Sequence, residues 1–107
     1  MAADDNRLVL SGHVAGRVER RETPAGIPIT RFTVEHVSRQ SEAGMAREVR
    51  CRLAVVAAGA GFDADLAGLG DGEPVRITGF LARAGYRHEE HRLVLHAQRV
   101  ERLNRGY

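Results

Sequence analysis

Apolar and polar residues alternate in five separated stretches of this chain, most clearly from Arg47 to Val56. There Val49, Cys51, Leu53 and Val55 recur at every second position, with Arg50, Arg52 and Ala54 between them. A strand sends successive side chains to opposite faces, so this period predicts one buried face and one open to water. Arg47, Arg50 and Arg52 are read as the open set, and Cys51 as a small buried apolar residue.

The other stretches follow the same rule. Arg7 to Val14 alternates with Leu8, Leu10, Gly12 and Val14 on one side, and the glycine in mid-strand lets the strand coil sharply enough to serve both halves of a closed wall. Arg17 to Ile27 carries Arg17, Arg20 and Arg21, ends in a Pro-Ala-Gly turn signal, and reads as a charged loop. Ile29 to Val37 is rich in β-branched residues and sets Phe32, Val34 and His36 on one face. Ser38 to Ala46 is polar and reads as a mobile hairpin loop. From Ala57 to Glu73, five glycines and four acids interrupt any long element, but Phe62, Leu66 and Leu69 are spaced for one or two helical turns that plug a barrel's end. Pro74 to Ala82 opposes Val75, Ile77, Gly79 and Leu81 to Arg76, Thr78 and Phe80. After a polar tip at Arg83 to Arg92, a last strand runs from Arg92 to Leu103.

Five strands with a glycine inside the first and a short helical insert between the third and fourth predict an all-β, five-stranded Greek-key barrel, the OB-fold. An open β-sandwich is the structural alternative. The domain is expected over residues 6–104, between a disordered tail at 1–5 and a short tail at 105–107. At 107 residues there is room for one core.

Charge changes the picture more than size does. The formal net charge is only +2, but all sixteen basic residues are arginine. None lies between Arg52 and Arg76, where Asp63, Asp65, Asp71 and Glu73 stand. This segregation suits binding an anion from one side. Guanidinium also grips phosphate bidentately and stacks on bases, although GC-rich coding alone replaces lysine with arginine.

Several chemistries are not expected. The single cysteine makes an internal disulfide impossible. The N-terminus has acids before a short apolar run and does not read as a signal peptide, and no apolar run approaches spanning length, so a soluble cytoplasmic protein without membrane contact is expected. His88 and His91 flank Glu89 and Glu90, but their spacing on a hairpin sends them to opposite faces with no third ligand nearby, so neither metal nor other cofactor is expected. The glycines of GAG and GLGDG lack a following lysine, and no Ser, His and Asp grouping has supporting context. An enzyme is not predicted.

The segments NRLVLSG (6–12), PAGIP (24–28), RFTVEH (31–36), EAGM (42–45), VRITGF (75–80) and LVLHA (93–97), with the Cys51 strand, together resemble the primosomal replication protein N (PriB) family. The resemblance runs from about Asn6 to Leu103. It implies a homodimer of OB domains that binds single-stranded DNA and assists the primosomal helicase, among other primosome proteins, in restarting stalled forks.

The resemblance also implies where DNA is met. Arg21 stands at a basic position of the first loop, and Arg87 and Arg92 at basic positions of the last hairpin. A further basic position of that hairpin falls on Gly85, with Arg83 nearby as a substitute. Met45 and Arg50 occupy positions where some relatives carry aromatic rings. Aromatic residues make up 5 per cent of the chain and tryptophan is absent, so binding is expected to be dominated by charge, with Tyr86 at the hairpin tip as the stacking candidate. The expected nucleic-acid-binding set is Arg21, Arg47, Arg50, Arg52, Arg83, Tyr86, Arg87 and Arg92. Two alternatives keep the fold: an interaction adaptor that docks acidic partners with little DNA affinity, and an RNA-binding OB domain.

Overall fold

A computed structural model describes residues 3–85 and 92–103. Its strands are β1 (Leu8–Val14), β2 (Glu19–Glu22), β3 (Pro28–Glu42), β4 (Met45–Ala58), β5 (Pro74–Arg83) and β6 (Leu93–Arg102). A 3-10 turn (Ala60–Phe62) runs into helix α1 (Asp63–Leu66) between β4 and β5. The sheet order is β1-β5-β6-β4-β3-β2, and a further β1–β3 pairing closes five strands into a barrel with β2 flanking β3. All pairings are antiparallel except β4 with β6.

Closure depends on β1 changing partners. Leu8 to His13 pair with β5, and His13 and Val14 also pair with β3. Gly12 sits at the change, and a Cβ there would collide with the Glu35 carbonyl and with Val34. The close crossing therefore requires glycine, as the mid-strand position predicts. The inward residues then form one core of Val14, Phe32, Val34, Val55, Leu69, Val75, Ile77, Leu95 and Val100. Phe62 and Leu66 pack against it from the barrel's end, so the spacing of the insert is borne out.

Three local expectations are corrected. Glu19–Glu22 is a strand paired with Arg31–Pro28, where a loop was expected. All four of its residues are exposed, so no apolar period marks it. The polar stretch from Ser38 to Ala46 is ladder almost throughout, turning only at Ala43 (φ 54°) and Gly44 (φ 77°). Two positive φ values in a two-residue loop match the twist of the flanking strands. Cys51 is exposed rather than buried. The long hairpin outruns the barrel, so its inward alternation has nothing left to face.

Arg102 ties two distant segments together. It donates to the Ala67 carbonyl at 2.6 Å and to both Glu73 carboxylate oxygens at 2.8 and 2.7 Å, strapping β6 to the segment that precedes β5. Its hydrogen bonds, with that from the Gly70 N–H and over the opposing cost of burial, hold the Glu73 carboxyl below its usual pKa.

Two expectations follow. Gly12→Ala should lose about 2 kcal/mol or more of unfolding free energy in urea titration, because backbone must move to admit the methyl. Glu73 has a folded pKa below its unfolded one, so its stabilisation is complete above the unfolded value and lost as pH falls through the folded value. The stability gap between wild type and Glu73→Gln should therefore be about 1 kcal/mol at pH 7, as befits a partly exposed pair, and close on acidification below the carboxylate range.

Candidate nucleic-acid interface

Because paired residues on neighbouring strands share a face, the register assigns each arginine to a side. On β3, Thr30, Phe32 and Val34 point into the core, so Ile29, Arg31, Glu35, Val37 and Arg39 point outward. Arg21 opposes Ile29 and Glu19 opposes Arg31. On the other flank Arg52 opposes Glu35, Arg50 opposes Val37 and Glu48 opposes Arg39. Arg21, Arg31, Arg39, Arg50 and Arg52 thus share the outer face of β2-β3-β4. Arg17 joins them beside a shallow groove shared with Glu19, Arg31, Thr33, Ala54, Val56 and Val94. From Ile29 to Val37 the lane is roughly 26 Å long at about 3.3 Å per residue.

Glu35 is the acid at its centre. Its carboxylate accepts from Arg50 and Arg52, each at 3.3 Å, and lies 3.6 Å from the His13 ring. Its side chain is 15% exposed, against 61% for Arg50 and 66% for Arg52. The acid holds the two guanidiniums from below; Arg50 also meets Glu48 at 3.6 Å, and both guanidiniums stay more than half exposed to a further anion. Among the described residues, Arg17, Arg21, Arg31 and Arg39 have no acid within ion-pair distance.

The expected set is divided by this geometry. Arg21, Arg50 and Arg52 are brought together. Arg47 opposes Gln40, on the opposite face of the hairpin from Arg50, and pairs with Glu42. Grouping it with Arg50 and Arg52 is corrected, since odd and even positions of one strand cannot share a side. Arg83 ends β5 on the alternation of Leu81, and Arg92 directly precedes β6, its carbonyl accepting from the Ala84 N–H at 2.9 Å. Tyr86 and Arg87 lie outside the described residues, as do His88, His91 and Arg105. Arg17, Arg31 and Arg39 are additions. Arg31 was legible in principle, because it alternates with Phe32 and Val34 and so must face outward.

Closed by five strands and plugged by a short helix, with arginines along one outer sheet face, this is a barrel of the OB class, and the family it matches is one of single-strand-binding proteins. A family model described as "Another single-strand binding protein family" matches residues 6–99. The chain is 39% identical to replication restart protein PriB of Proteus mirabilis over 94% of its own length and 96% of the relative's. With the Serratia proteamaculans PriB it shares 37% over the same fractions. The solved PriB of Ralstonia solanacearum superposes with a TM-score of 0.77 at 30% identity, covering 94% of this chain and 99% of that one. The Plasmodium falciparum SSB, solved in complex with ssDNA, gives 0.77 at 12% identity, covering 97% and 99%, a likeness of fold alone. The chain belongs to the PriB family.

Removing the acid beneath the lane tests the electrostatics without reference to a biological ligand. Glu35→Gln frees the Arg52 guanidinium and leaves Arg50 with Glu48 alone, and the variant should leave a heparin column at higher salt than wild type. Unchanged elution would show that Glu35 does not govern the charge of this face.

Proposed function

We propose that this protein binds single-stranded DNA along the outer face of β2-β3-β4 and acts in replication restart beside the primosomal helicase. The lane of outward arginines from Arg21 to Arg50 and Arg52 carries the reading. Phosphates are met by Arg17, Arg21, Arg31, Arg39, Arg50 and Arg52, and Arg83, Tyr86, Arg87 and Arg92 extend the contact from the last hairpin. Arg47 then contributes from the hairpin's other side, where a strand wraps the tip. Membership of the PriB family supports the role in restart, and the ssDNA complex of a protein with the same fold supports the ligand.

The working unit is a homodimer. Support comes from β1, whose Leu8 to Gly12 use one edge on β5 and meet β3 only from His13 onward, leaving a strand edge for a second copy.

A second reading draws on Glu35 and Glu42, which already engage Arg50, Arg52 and Arg47. With these charges partly answered, the face serves as a dock for an acidic partner and DNA affinity is weak. Capture of the helicase at full strength, with negligible oligo-dT binding, favours this reading.

The decisive experiment is an oligo-dT titration across a salt series with the dimer followed by sedimentation. Log affinity should fall linearly with log salt, with a slope of about 0.7 per phosphate neutralised. Arg21→Glu and Arg31→Glu should each weaken binding and flatten the slope without changing the melting temperature. Salt-insensitive binding, or variants that bind as wild type does, would remove the lane from the site.

A further inference from the structure

Phe80 is one of the few large apolar residues on the outside of the barrel, 38% exposed. It lies against His96, its cross-strand partner, with ring centroids 5.1 Å apart and planes 9° from parallel. The local backbone builds this pair. The β5–β6 register slips between Thr78 and Gly79, so that Thr78 faces Arg99 while Gly79 faces Ala97, with Gln98 as the extra residue. A bulge of this kind re-aims the side chains beside it. Gly79 makes the approach possible, since a Cβ there would collide with the His96 carbonyl.

The pair is also in line with the arginine lane. Phe80 opposes His96 on β6, His96 opposes Val56 on β4, Val56 opposes Arg31 on β3, and Arg31 opposes Glu19 on β2. One row thus runs round the barrel wall over four strands, from the aromatic pair across Val56 to Arg31, and ends on β2 at Glu19. Val94 opposes Ala54 in the neighbouring outward row, so the floor on that side carries no long side chain. From the β5 to the β3 backbone is about 14 Å, three strand spacings.

A ring for a base and a cation for phosphate, set in register along one rigid wall that a single strand can follow round, are the two parts of a single-strand subsite. We propose that the Phe80–His96 pair is a base-stacking platform, on which a nucleobase of the single strand continues the stack while Arg31 and Arg17 hold neighbouring phosphates. The inference rests on the DNA-binding reading above and adds a contact that charge alone does not supply. It also answers the scarcity of aromatic residues: the stacking surface is a phenylalanine–imidazole pair on the wall of the barrel.

Equal-length oligo-dT and an otherwise identical oligomer with abasic sugars separate stacking from charge. Phe80→Leu keeps apolar bulk but removes the ring, and should bind oligo-dT roughly 5- to 100-fold more weakly, the range for one stacked base. Its salt slope should match wild type, and so should its affinity for the abasic strand. Phe80→Trp should restore affinity, and its indole, in a chain without native tryptophan, should lose fluorescence when oligo-dT is added but not when the abasic strand is. Melting temperatures establish that both variants are folded. If Phe80→Leu binds oligo-dT as wild type does, or the indole signal ignores the bases, the platform is wrong while the arginine lane stands. Failure of wild type to bind oligo-dT at any salt removes both.

Discussion

The crossing of β1 over β3 at Gly12 is the constraint from which the rest of the molecule follows. Backbone meets backbone there, at the Glu35 carbonyl, and any side chain would force the strands apart. Without that approach β1 cannot leave β5 for β3, the sheet stays open, and Val14, Val34 and Val75 lose their shared interior. The same residue links closure to the surface. The Glu35 backbone closes the barrel, while its carboxylate, on the outer side, holds Arg50 and Arg52 in place. Core and candidate interface therefore meet at one point in the chain.

Much of this was legible because burial on a closed sheet imposes a period of two. Leu8 to Val14, Phe32 with Val34, Leu53 with Val55, and Val75 with Ile77 all announced their strands, and Phe62, Leu66 and Leu69 announced the plug. The failures share one cause: where the sheet runs past the core, or lies flat on its outside, nothing apolar marks it. Glu19 to Glu22 pairs through its backbone with every side chain in water. Ser38 to Ala46 continues the ladder on polar residues, so its strands were mistaken for a loop and Cys51 for a core residue. The arginines were easier to find than to place. Arg47 belongs with Val49 and Cys51 by simple alternation, while Arg31, passed over inside an apolar strand, must face outward by the same rule.

The surface shows a division of labour between charge and shape. The guanidinium is planar, always ionised and able to answer two anions at once, so Arg52 serves Glu35, and Arg50 serves Glu35 and Glu48, while both stay exposed outward. Arg17, Arg21, Arg31 and Arg39 face no acid within ion-pair distance among the described residues; Arg31 and Arg39 lie on β3, the strand that spans the face, with Arg21 on β2 beside it and Arg17 just before β2. A track of this length suits an extended polyanion better than a compact ligand. The tight bulge at Gly79 sets a stacked ring pair on the outer wall of β5 and β6, three strands round from β3.

The most direct test of the account is an NMR titration that follows the arginine Nε–H resonances as oligo-dT is added. A ligand lying on the outer face should shift Arg17, Arg21, Arg31, Arg39, Arg50 and Arg52 together and leave Arg76 and Arg102, on the β5–β6 side and at the barrel's end, where they were. Shifts confined to Arg76, Arg99 and Arg102, with the β3 and β4 arginines unmoved, would contradict it.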